Sequence, residues 1–186
     1  MTGSLCKKLM YSVTGFSLSF FLMVGTASGQ MHPVEKESSI RFVIKNFGFN
    51  TNGSLADPTG DISFNPDDLS KSSFNISIKS ESINTDNENR DEHLRNEDYF
   101  DVKKYPLIRF VSSSIHATNK KGDYSVTGTL TMKDKSKEIT FPFNAVKNGN
   151  GYHFTGSFKM NRRDFNIGGA STISNELTVN INVVAE

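Results

Sequence analysis

The 186-residue chain has one cysteine and no tryptophan. A lone cysteine closes no intramolecular disulfide, and beyond Cys6 the chain has no thiol for nucleophilic or metal chemistry. A lipid-modified cysteine follows the apolar stretch of its leader, whereas Cys6 precedes the only such stretch here, which argues against a lipoprotein. Histidine is also sparse: His32, His93, His116 and His153 are scattered, with no pair at metal-ligand spacing. No metal and no cofactor is expected. An excess of either charge is missing too, at 21 Lys and Arg against 20 Asp and Glu. Without a basic stripe interleaved with stacking residues, a nucleic-acid partner is excluded.

The chain also lacks a hydrophobic run long and unbroken enough to span a bilayer. Its one apolar stretch, Leu9 to Val24, is interrupted by Ser, Thr and Gly, follows Lys7 and Lys8, and precedes the small residues Ala27-Ser28-Gly29. That order reads as a cleaved secretory signal peptide over residues 1–29, with no membrane span left after cleavage. The mature chain then carries 19 basic against 20 acidic residues and resides in the periplasm or outside the cell. Residues 30–38 read as a flexible mature N-terminus and 39–186 as a single domain.

What is abundant is alternation. Ile40, Phe42 and Ile44 share one face of an extended segment, and so do Phe74, Ile76 and Ile78. The pattern continues through Ile62 and Phe64, then Ile108 and Phe110. It recurs in Tyr124, Val126, Leu130 and Met132, in Ile139, Phe141 and Phe143, in Phe154, Phe158 and Met160, and in Leu177, Val179, Ile181 and Val183. Period-2 patterning joined by short Gly- or Asn-bearing turns predicts about eight antiparallel strands, each apolar on one face. Such a sheet must cover its apolar face, so an all-β, up-and-down barrel is expected. The outward Ser, Thr, Lys and Asn exclude an outer-membrane barrel, whose apolar face points outward.

Alternation fails only over Asn84–Pro106, where charge is crowded. This stretch predicts one short capping helix near 86–97, with Thr85 and Glu88 as a capping box and Asp91 and Glu92 pairing with Arg95 on the solvent side. His93, beside Asp91 and Glu92, has no partner nucleophile and reads as a surface or mouth-lining residue, so no catalytic residue is assigned. Arg90 and Arg95, on the same helix, are candidates to meet a polar head group at a barrel mouth. At about eight strands a barrel interior is either filled by side chains or holds one small ligand, and the inward rings fit both arrangements.

Several stretches resemble the YceI-like family of lipid- and polyisoprenoid-binding proteins. They are K-N-F-G-F-N-T-N-G (45–53), S-I-N-T-D-N-E-N-R-D-E-H-L-R (82–95), D-Y-F-D-V-K-K-Y-P-L-I-R-F (98–110), Y-S-V-T-G-T-L-T (124–131) and K-E-I-T-F-P-F (137–143). The stretch before N-R-R-D-F-N-I-G (161–168) is compact, without the longer, often Trp-containing insertion of many relatives. The resemblance implies a lipocalin-like barrel, exported, homodimeric and not enzymatic, whose interior holds an isoprenoid or other long-chain lipid. It implies that Phe42, Phe64, Phe110, Tyr124, Phe141, Phe143, Phe154 and Phe158 form an apolar tunnel, with Arg90, His93 and Arg95 at its mouth. Two other readings stand beside it: a filled barrel acting as a stress-linked interaction module, and an enzyme acting on a lipid in the cavity.

Overall fold

The computed structural model describes residues 29–170 and 172–186, so the leader expected over 1–29 lies outside the described residues except for Gly29. Nine strands form one antiparallel sheet: β1 (Ser39–Asn46), β2 (Phe49–Ala56), β3 (Thr59–Ser63), β4 (Ser73–Lys79), β5 (Leu107–Ala117), β6 (Asp123–Met132), β7 (Lys135–Asn148), β8 (Gly151–Asn161) and β9 (Ile173–Ala185). The single α-helix among the described residues, α1 (Glu88–Arg95), lies between β4 and β5. The order across the sheet is β2-β1-β9-β8-β7-β6-β5-β4-β3, so neighbours in space are neighbours in sequence except for the pair β1 and β9. The sheet curls into a half-barrel around its apolar face.

The ninth strand is β2, absent from the sequence reading because Phe49-Asn50-Thr51-Asn52-Gly53-Ser54 has almost no inward apolar side chain. Its inner surface is supplied by the neighbouring strand instead. Phe42 on β1 pairs with Gly53, and its ring lies where a side chain of residue 53 would stand: a Cβ there would be 2.2 Å from Phe42 Cζ. The arrangement recurs at Phe110 and Gly128, where a Cβ would lie 2.6 Å from both Phe110 Cζ and the Val111 carbonyl oxygen. A ring can swing aside but a backbone oxygen cannot, so Gly128→Ala is expected to lower stability by about 1–3 kcal/mol in urea titration.

Residues 30–38, expected to be flexible, are fastened to the sheet. Met31 exchanges both backbone hydrogen bonds with Ile62 of β3, His32 exchanges both with Glu186, and the Val34 amide donates to the Val184 carbonyl. Extended backbone rich in unpaired amides finds partners on β3 and β9, and Met31 is buried. Between the sheet ends β2 and β3, this segment joins β3 to β9 at one end of the half-barrel. At the other end, Ser54 of β2 exchanges two backbone hydrogen bonds with Asn84.

The interior divides along the barrel axis. At the end closed by residues 31–34, a cluster centred on Phe64 gathers Ile115, Val126, Phe141, Phe143, Phe154 and Val183. At the end covered by α1, a second cluster contains Leu55, Ile78, Ile83, Ile108, Leu130, Met132, Met160, Phe165, Ile167 and Val179.

The candidate ligand cavity

The helix that covers the second cluster is held by a buried polar knot. Its N-cap is Asn87, whose side chain accepts from the Arg90 amide at 2.9 Å; the expected capping box does not form. Thr85 and Asp91 are both about 95% buried, and Asp91 Oδ1 accepts from the Thr85 amide at 2.9 Å and from the Thr85 hydroxyl at 2.5 Å. Arg90 then closes the knot, its Nε donating to Thr85 Oγ1 at 2.7 Å and one terminal nitrogen to the Thr85 carbonyl at 2.6 Å. Arg95, expected to pair with Asp91, instead donates to the carbonyls of Glu81 and Ile83, each at 3.0 Å. Of the three side chains assigned to the solvent face, Asp91 and Arg95 therefore bind the helix down, and Glu92 alone is exposed.

Beneath α1 lies an apolar cavity of about 230 Å³. Its walls are Ile40, Phe42 and Ile44 from β1, Leu130 and Met132 from β6, Phe158 and Met160 from β8, and Leu177, Val179 and Ile181 from β9, with Leu94, Tyr99 and Phe100 closing it from the helical connection. Six of the eight rings proposed from the sequence line it: Phe42, Phe110, Phe141, Phe143, Phe154 and Phe158. The other two, Phe64 and Tyr124, are packed edge to face at 5.1 Å in the filled end and do not line the cavity. Of the three mouth candidates only Arg90 lies on the wall. His93 is exposed, its ring 5.0 Å from that of Tyr99, and Arg95 is turned toward the preceding backbone.

Sequence reasoning weighs Arg162 with the other arginines as a head-group partner and keeps only Arg90 and Arg95. Arg162 is 4% exposed and lies on the cavity wall, yet its side chain donates to backbone carbonyls: Ser174 at 3.0 Å, Ile167 at 2.7 Å, Gly169 at 3.2 Å and Ile173 at 3.1 Å. Burial, and then the adjacent Arg163 charge, hold this guanidinium below its ordinary pKa, although it stays cationic at any ordinary pH. A signal was available, since Arg162 continues the even-numbered inward face of β8 after Phe158 and Met160. The positive φ of Gly168, +65°, brings the chain close against it, and a Cβ there would be 2.8 Å from the guanidinium and 2.7 Å from Tyr99. The cavity thus has greasy walls along its length and two cationic side chains, Arg90 and Arg162, set into them. No group of three or more His, Cys, Asp or Glu residues that could hold a metal occurs among the described residues.

An antiparallel half-barrel with an apolar lumen and a helical cover defines a protein of lipocalin-like architecture. A family model for the YceI-like domain matches residues 32–185, and the chain belongs to the YceI-like family. It is 32% identical to a UPF0312 protein of Pseudomonas putida over 174 residues, which cover 87% of this chain and 89% of that protein. Among solved structures it is similar to BcnA of Burkholderia cenocepacia, with a TM-score of 0.77 and 28% identity over 81% of this chain and 98% of the other. A polyisoprenoid-binding domain from Saccharophagus degradans shares the fold, with a TM-score of 0.66 at 14% identity over 84% of this chain and 97% of that domain.

Proposed function

We propose that the protein binds and carries an amphiphilic long-chain lipid, of polyisoprenoid or quinone type, without chemical turnover. The observation that carries this reading is the cavity under α1, whose lining is aliphatic and aromatic apart from a few polar side chains that include Arg90 and Arg162. Burial of a hydrocarbon chain there contributes roughly 25 cal/mol per Å² of apolar surface, less the cost of ordering it. A polar or anionic end would be drawn by charge toward the two guanidiniums, whose donors are held by Thr85 and by the carbonyls around Arg162. The cavity is somewhat smaller than the roughly 300–1,000 Å³ of small-molecule pockets. Met132 and Met160, unbranched and freely rotating, are the wall residues best able to yield to a longer chain. The polyisoprenoid-binding domain with the same fold supports lipid as the ligand class. Residues 1–29 would direct export, placing the carrier in the periplasm or outside the cell, as a homodimer.

Native mass spectrometry of the purified protein, followed by solvent extraction of the bound fraction, tests the proposal. A stoichiometric adduct that extracts as a prenyl, quinone or fatty compound is the expected result. Met160→Trp, which places an indole in the lumen, is expected to reduce that adduct several-fold while the far-ultraviolet circular dichroism is unchanged. A bare polypeptide mass, with no uptake of offered lipids, would overturn the reading.

A further inference from the structure

The turn between β1 and β2 is built against its own stability. Asn46 pairs with Phe49, leaving a two-residue loop of Phe47 and Gly48 with φ of +50° and +82°. Positive φ at both positions is the type I′ geometry, which favours Asn or Gly at the first site and is strained for a bulky aromatic residue. Phe47 nevertheless occupies that site, 73% exposed, and Phe49 beside it is 79% exposed. These are the most exposed large apolar side chains among the described residues, and they share one hairpin tip. Burial within the chain does not account for them, and Asn would suit the turn better.

Their position links them to the cavity. Ile44 and Asn46, just before the tip, and Thr51, just after it, are all on the cavity wall. The tip therefore projects from the rim of the lumen. The Phe47 amide donates to the Thr172 carbonyl, which seats the tip against the segment after Gly168-Gly169-Ala170, itself uncharged. Over residues 39–56 the hairpin carries Arg41 and Lys45 and no carboxylate, and on the adjoining stretch of β9, Ile173 to Thr178, the one acid is Glu176.

We propose that this tip is a membrane-docking element, with Phe47 and Phe49 entering the interfacial region of an anionic phospholipid bilayer and Lys45 beside them meeting its surface charge. Aromatic side chains partition into the headgroup boundary, and a basic flank adds attraction to anionic lipid. The inference rests on the lipid-carrier reading, because docking here sets the lumen's rim against the bilayer and shortens the path of an apolar chain through water.

The chain's lack of tryptophan supplies the test, since Phe49→Trp introduces the single indole, whose emission is read by exciting beyond the absorption of the five tyrosines. The control is Val146→Trp, at an exposed site near the opposite end of β7. With vesicles of mixed phosphatidylglycerol and phosphatidylcholine, the F49W emission is expected to shift to the blue and to be quenched by brominated lipid, while V146W is unaffected. Residues 1–28 are the same in every variant, so they do not alter this local reading. Lys45→Gln is expected to weaken vesicle binding about 5-fold, at about 1 kcal/mol per basic residue near the surface, and Arg41→Gln, farther up the strand, to change it less. Phe47→Asn is expected to raise the melting temperature while reducing vesicle binding, a combination that a purely structural role for Phe47 would not give.

Unquenched F49W, or equal quenching of F49W and V146W, overturns the proposal. So does conversion of a dimer to a monomer by Phe47→Asn without vesicle binding by the parent, which would assign the tip to contact between two copies. Quenching of F49W in a protein that extracts without lipid would leave docking standing and remove the carrier reading instead.

Discussion

Phe64→Ala is expected to lower the stability of the fold by about 3–5 kcal/mol, the range for removing a buried aromatic ring. Phe64 is 2% exposed, and its ring lies within 6.3 Å of five others: Phe74, Tyr124, Phe143, Tyr152 and Phe154. Four of the five contacts are near perpendicular, at 70–88°, the arrangement in which the positive edge of one ring meets the negative face of another. Those rings come from β4, β6, β7 and β8, so a single truncation removes a shared partner from four strands. Such rings cannot collapse together, because each is fixed by its own strand. Urea unfolding of the two proteins measures the difference in midpoint. Because Phe64 is absent from the cavity wall, lipid stoichiometry in the folded fraction should match the parent's. Loss of lipid with little loss of stability would mean that the filled end belongs to the binding site.

The second large effect is expected at the cover. Asp91→Ala should cost about 2–3 kcal/mol, because it removes the one acceptor shared by the Thr85 amide and hydroxyl and leaves that amide buried without its partner. The loss propagates, since Thr85 is also the acceptor for two Arg90 donors. Asp91→Asn retains one side-chain oxygen and the volume, and should cost less than the alanine change. Hydrogen exchange would separate local from global effects: in Asp91→Ala the amides of 84–95 should exchange faster than those of β6 to β9. Release of a preloaded lipid should accelerate in parallel, as Leu94 on this helix roofs the cavity. Unchanged exchange over 84–95 would show that packing, and not the knot, holds the helix.

The strand pattern was legible because period-2 alternation is a local property. Eight strands could be read from Ile40 to Val183, whereas β2 could not, since its inner surface is the Phe42 ring donated across the sheet to Gly53. The helix was legible in kind, but its ends were not: it runs over Glu88–Arg95 within the expected 86–97. Thr85 looked like a cap because it stands three residues before Glu88, yet its hydroxyl donates to Asp91. Asp91 and Arg95 looked like a surface pair because they are four apart, yet each has taken a partner from the connection before the helix. Spacing indicates which groups can meet and not which competing partner prevails.

The site was legible to the same degree. Alternation assigns a ring to the interior but carries no coordinate along the barrel axis. For that reason Phe64 and Tyr124 could not be told apart from Phe42 and Phe158, although the first two belong to the filled end and the others to the cavity. Arg162 continues the inward parity of β8 just beyond Asn161, and the doubled arginine of N-R-R-D obscured it.

The seam between residues 31–34 and 184–186 has a consequence for how the molecule comes into being. Ser38 Oγ donates to the Val184 carbonyl, a contact between residues 146 apart, and β1 finds its second neighbour only in β9. Hairpins from β5 to β8 close short loops in the order of synthesis and β1 pairs at once with β2, but the other edge of β1, with His32 and Val34, must wait for β9 and the residues after it. Long-range pairing of this kind slows folding, because loop-closure entropy is paid before the contact forms. A nascent or partly translocated chain therefore holds one edge of β1 open until β9 arrives.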